Sequence, residues 1–215
     1  MSEGPILYTG AMVREVLGDR KTQTRRVIKL REFGPSDTPG YDWTFRDRRG
    51  LWNDMRTADL VAKKCPYGQP GELLWVRETW AASTVHDSTP PRELPRPCAV
   101  FYRERDGQCD EYDFVGRWRP SIHMPRWASR LTLRVTDVRI ERVQAASDAD
   151  IAAEGLRPSA MGAQCSVDLP GGLTHHDTHI ECWRLLWDSI NGKREGCSWE
   201  ANPWVWVVCF ERVET

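Results

Sequence analysis

The nine residues GDRKTQTRR, 18–26, interleave Arg20, Lys21, Arg25 and Arg26 with the hydroxyls of Thr22 and Thr24. Lys21 and Thr24 are three apart, so on a tight turn or beside a helix end they share a face. The like charges of Arg20, Arg25 and Arg26 disfavour the Lys21 ammonium, and a neutral lysine can take the proton of a threonine hydroxyl. Glu154 complements them. It closes the short helical segment SDADIAAEG, 147–155, where the negative end of the helix dipole favours a protonated carboxyl that can donate. On spacing alone, the ordinary reading of a surface lysine and a helical surface glutamate has the stronger claim.

Charge gives only local information. Lys+Arg 30 against Asp+Glu 31 leaves a formal net charge of −1, so the whole chain offers no field for a polyanion. Between 14 and 31, however, Arg14, Arg20, Lys21, Arg25, Arg26, Lys29 and Arg31 face only Glu15 and Asp19. In the segment 116–134, Arg117, Arg119, Arg126, Arg130 and Arg134 meet no acid, with Trp118 and Trp127 between them. Guanidinium groups bind phosphates and indoles stack on bases, so the two segments together predict a nucleic-acid groove, with Arg25, Arg26, Arg117, Trp118, Arg126 and Trp127 on the substrate. Solvated arginine faces balanced by the acidic stretch 104–113 are the alternative, and charge pattern leaves both open. Of the 11 tryptophans, Trp183, Trp187, Trp204 and Trp206 sit at helix or strand spacing and read as core, whereas Trp43, Trp52, Trp118 and Trp127 lie among charges, Pro and Gly, where an indole can stack on a flat ligand.

The histidines of HHDTH, 175–179, lack the glutamate of a zinc-protease helix, and a polar helix entrance capped by Asp177 or Thr178 fits them better; no metal and no cofactor is expected. Seven cysteines without C-x-x-C spacing, and an N-terminus without a signal pattern, predict a reduced cytoplasmic protein. No apolar run reaches the roughly 18 residues of a membrane span.

The elements that must position these residues follow from pattern. AMVREVL, 11–17, is a helix with Gly18 placed to end it in a left-handed conformation, and SDADIAAEG is a short helix between Ser147 and Gly155. LLWV, 73–76, and PWVWVVCFERV, 203–213, read as buried strands. LTLRVTDVRIERV, 131–143, alternates and then slips by one residue, which a β-bulge near Asp137 explains. THIECWRLLWDSIN is an amphipathic helix, residues 31–70 read as a long loop or insertion, and a second loop, STVHDSTPPRELPRPC, leads into AVFYRE as a strand. The sum is a single α+β domain, 1–215, with a curved or barrel-like sheet.

GDRKTQTRR resembles the G-x-K-x-x-T-x-R signature of the ASCH domain in the PUA-like superfamily, with Gly18, Lys21, Thr24 and Arg26 in the motif positions. The similarity continues in order through PGELLWVRE, LTLRVTDVRIERV, SDADIAAEG and WVVCFERV, and the insertions at about 31–70 and 82–130 make the chain similar to larger ASCH proteins of phages and prophages. The resemblance implies a PUA-like β-barrel with flanking short helices and a cleft for RNA, single-stranded nucleic acid or a modified nucleoside. One enzymatic branch, the N4-acetylcytidine amidohydrolases, uses a Lys, a Thr and a Glu, and motif matching carries these onto Lys21, Thr24 and Glu154. That branch implies a hydrolase in which Lys21 activates Thr24, Thr24 attacks the acetyl carbonyl, Glu154 protonates the leaving amine and Arg26 stabilises charge. A non-catalytic RNA- or DNA-binding module and an ASCH-type ribonuclease are the alternatives.

Overall fold

The computed structural model describes residues 2–104, 114–156, 165–169 and 172–213. The strands are β1 Glu3–Leu7, β2 Gln23–Val27, β3 Arg31–Pro35, β4 Trp43–Arg46, β5 Trp52–Met55, β6 Leu73–Arg77, β7 Trp80–Ala82, β8 Val100–Tyr102, β9 Thr132–Arg142, β10 Cys165–Leu169, β11 Gly172–His176 and β12 Trp204–Val213. The helices are α1 Gly10–Leu17, α2 Thr57–Lys64, α3 Asp148–Ala153 and α4 His179–Asn191. This is a mixed α+β fold.

The central sheet has the order β1-β6-β9-β12-β2, parallel only between β1 and β6. Backbone pairing leaves β1 and β2 as its two ends. Across that gap, Arg26 on β2 donates from Nη2 to the Leu7 carbonyl on β1 at 2.8 Å, so the ends lie within one side chain of each other. The expected slip in β9 is present: Asp137 faces Cys209 while Val135 faces Phe210, leaving Thr136 as the extra residue.

One face of the sheet, with Ile6, Tyr8, Leu74, Val76, Leu133, Val135, Trp206 and Val208, encloses the main core against Val13 and Val16 of α1. The opposite face carries Val205 and Val207, which pack with Ile151 of α3 and with Trp183 and Trp187 of α4. A satellite core around Trp80, Leu94 and Met124 organises the described residues between 80 and 128, among which are short 3-10 turns and the β7–β8 pair.

Three expectations need correction. Residues 31–70 are no loop: β3, β4 and β5 form an antiparallel meander, α2 follows, and Phe45 and Leu60 seal the main core. Gly18 caps α1 at φ −87°, and it is Asp19 that takes the left-handed conformation, at φ 55°. Trp204 is only half-buried, edge-on to Trp43 at 4.9 Å, because its side of β12 opens toward the meander; Trp183, Trp187 and Trp206 are core as expected.

Candidate functional site

Lys21 stands in the short link from α1 to β2, and backbone bonds hold that link on both sides. The Arg20 and Lys21 amides donate to the Glu15 carbonyl at 2.9 and 3.0 Å, and the Thr22 amide donates to the Ala153 carbonyl at 2.9 Å. The end of α1 and the end of α3 are thereby fastened to one segment. Gly155 makes the approach possible. Its φ is +91°, and a Cβ there would stand 2.8 Å from Glu15 Cβ and 3.3 Å from Lys21 Cβ.

α3 itself is set by a capping box, in which Ser147 Oγ accepts from the Asp150 amide and the Asp150 carboxylate accepts from the Ser147 amide. Glu154 is its C-cap residue. Lys21 Nζ donates to Glu154 Oε2 at 2.8 Å and to the Glu154 carbonyl at 2.9 Å, with both side chains nearly inaccessible. Burial lowers the proton affinity of Lys21, Glu154 opposes that, and Arg26 and Arg25 add to the lowering. The sequence attributed the effect to neighbouring arginines including Arg20. Burial is the larger cause, and Arg20 turns away to Glu15 at 2.6 Å. Glu154, too, is not a lone carboxyl at a helix end, because two cations face it.

The second cation is Arg25. Strand alternation sends it to the face opposite Thr24 and Arg26, where its fully buried guanidinium meets Glu141 at 3.0 Å and Asp150 and Glu154 at 3.4 Å each. Arg139 extends the network to Glu141 and Asp150. Arg25, expected on the substrate, instead braces Glu154 from behind.

On the inner face Thr24 is buried beside Tyr8, a residue that the motif did not single out. Lys21 Nζ stands 5.8 Å and Arg26 Cζ 5.6 Å from the Tyr8 ring centroid. The Tyr8 hydroxyl lies near Thr24 but makes no hydrogen bond of acceptable geometry, and it is buried. Burial raises its pKa, with Arg26 in opposition, so it stays a neutral donor. Tyr67, half-buried, is near enough to Arg26 to feel its charge. Lys21, Thr24, Arg26 and Glu154 thus gather around one unsatisfied phenol. Tyr8 directly precedes the α1 cap Thr9, and no spacing rule in the sequence selects it.

Compared with protein-family models, curated proteins and solved structures, the chain has no match in any of the three.

The 116–134 cations are not a free basic stripe. Arg126 pairs with Glu3 at 2.6 Å, Arg130 forks onto the buried Glu78 at 2.9 Å through both nitrogens, and Arg134 pairs with Glu211 at 3.2 Å. Arg119 is buried and donates to the His86 and Thr89 carbonyls. Acids distant in sequence thus neutralise Arg126, Arg130 and Arg134. Trp127 stands edge-on to Trp80 at 6.2 Å. Arg117 and Trp118 line a pocket of about 320 Å³ with Pro91 and His123, and none of Lys21, Thr24 and Glu154 lines it. A second pocket, of about 350 Å³, touches Lys21 together with Asp19, Thr22 and Arg212, and neither Thr24 nor Tyr8 lines it. Of the 14–31 cations, Arg14 pairs with Glu104, Arg20 with Glu15, and Lys21 and Arg25 with Glu154, while the rest of the acidic stretch, 105–113, lies outside the described residues.

Thr178 caps α4 and accepts from the Glu181 amide, with His175 left on β11. Among the described residues no three His, Cys, Asp or Glu side chains converge as metal ligands, and no helix is long and apolar enough to cross a membrane.

Proposed function

We propose that this chain is an ASCH-like protein of PUA-like architecture that receives a modified nucleobase at Lys21, Thr24 and Glu154 and hydrolyses an N-acyl bond, N4-acetylcytidine being the type substrate. The observation that carries the reading is the buried contact between Lys21 Nζ and Glu154 Oε2, 2.8 Å long, with Thr24 on the adjoining strand. The side-chain bridge from Arg26 to Leu7 supports a nearly closed, barrel-like sheet.

In the reactive form Lys21 is neutral, the state that burial favours. Lys21 takes the Thr24 proton while Thr24 Oγ1 bonds to the acyl carbon, giving a tetrahedral oxyanion. Tyr8 and Arg26 are the donors at hand for that oxyanion. The proton passes along the Lys21–Glu154 hydrogen bond and reaches the base nitrogen as its bond to carbon breaks. Water then attacks the threonyl ester, Lys21 takes the water's proton, acetate leaves, and Thr24 Oγ1 recovers a hydrogen.

A second reading, a base-recognition pocket without chemistry, is favoured by one feature: two of the three ammonium donors of Lys21 are already given to Glu154. Chromatography of cytidine released from N4-acetylcytidine and related acylated bases separates the two. Release that disappears in Thr24→Ala supports the hydrolase. Binding without release, lost in the same variant, supports recognition, and turnover unchanged in Thr24→Ala removes the nucleophile.

A further inference from the structure

The β3–β4–β5 meander presents a row of side chains that the core does not use. Register places Arg31 opposite Arg46 and Arg46 opposite Trp52, so the three lie across one face of the sheet. Trp52 is 58% exposed and the preceding Leu51 61%, an unusual position for an indole with no core role. The tip is rigid. Asp47 Oδ1 accepts from the Arg49 and Leu51 amides at 2.8 and 2.9 Å, Asn53 Nδ2 donates to the Leu51 carbonyl at 2.9 Å, and Gly50 takes the turn at φ +83°.

Arg46 does the positioning. Its Nε donates to the Gly50 carbonyl at 2.8 Å, its Nη1 meets Glu32 at 3.2 Å, and its guanidinium lies 6.0 Å from the Trp52 ring centroid. Arg31 of β3, and Arg48 and Arg49 of the turn between β4 and β5, are exposed on the same meander. A fixed aromatic ring beside several cations matches a base stacked on the indole and flanking phosphates on the guanidinium groups. Only Leu51 and Trp52 offer apolar area at the tip, too little to hold a lipid surface by burial.

We infer that the outer face of this meander, with Trp52 as stacking platform and Arg31, Arg48 and Arg49 as phosphate ligands, binds single-stranded nucleic acid. The surface is separate from the Lys21 chemistry and does not depend on it. It makes a strand, rather than a free nucleoside, a natural ligand of the chain.

Fluorescein-labelled 15-mers of oligothymidylate and oligouridylate, titrated at two salt concentrations with anisotropy as the signal, test the inference. Wild type is expected to bind one or both and to quench tryptophan emission on binding. Trp52→Ala should weaken binding about tenfold, and Arg48→Ala with Arg49→Ala should lower the salt slope by about 0.7 for each phosphate that is no longer neutralised. All three positions are exposed, so melting temperatures should match wild type. The inference is overturned if neither oligomer binds at low salt, if Trp52→Ala binds as wild type does, or if phosphatidylserine vesicles but not oligomers shift the tryptophan emission. Hydrolysis of a free acylated nucleoside should be untouched by these variants, so loss of strand binding and absence of chemistry are separate outcomes.

Discussion

Lys21 Nζ and Glu154 Oε2 are 2.8 Å apart although 133 residues separate them in the chain, and both side chains are almost wholly removed from water. Such a pair is costly to break from one side, since the partner left behind is an uncompensated buried charge. Lys21→Ala should therefore destabilise the fold by about 3–5 kcal/mol, and Glu154→Gln should destabilise it as well. A double-mutant cycle by urea denaturation, with Lys21→Met and Glu154→Gln, should return a coupling of about 1–3 kcal/mol. Additive effects would mean that the two groups do not meet in solution.

Tyr8→Phe removes only the hydroxyl that is buried without a partner. A group of this kind has lost its water and gained nothing in exchange, so its deletion should leave the melting temperature unchanged or raise it. Ligand affinity or turnover at the Lys21 site should fall in the same variant. A lower melting temperature would identify the hydroxyl as a structural donor instead.

The acid limb of stability should depend on Asp150. Burial pushes its pKa up, but the Ser147 hydrogen bonds and the Arg25 guanidinium outweigh it, and the net direction is down from 3.8. A carboxyl depressed in the folded state binds fewer protons there than in the unfolded chain. Its contribution is present above 3.8 and is lost as pH falls below that value. Urea midpoints measured from pH 5 down to pH 2 should fall, and Asp150→Asn should flatten that fall. Lys21, also depressed, works on the alkaline side: turnover should rise with pH as it loses its proton and level off below the 10.5 of a free lysine.

Gly155→Ala should cost about 1–3 kcal/mol, because alanine at φ +91° is strained and its Cβ would press on Glu15 and Lys21. Since Lys21 is one of the displaced neighbours, site function should decline further than stability alone explains. Gly34→Ala, where no atom stands within 4 Å of the added methyl, is the matched control.

Local pattern was enough for α1, for α3 between Ser147 and Gly155, for α4, and for the bulge in β9, because caps, periods and register slips are properties of neighbouring residues. Lys21, Thr24 and Glu154 were also legible as residue types able to do chemistry. Sequence could not say which cations are free. Arg25, Arg126, Arg130 and Arg134 look unpaired along the chain, yet Glu141, Glu3, Glu78 and Glu211 reach them from distant parts of the sequence. Nor could it find Tyr8, which becomes part of the site only when β1 is brought to β2 across the open sheet. Burial of Lys21 and the turning of Arg25 to the far face are likewise tertiary facts. The physical reason is common to all of them: solvation and charge pairing depend on distance in space, and the fold sets that distance by packing two helix ends and two sheet ends on one another.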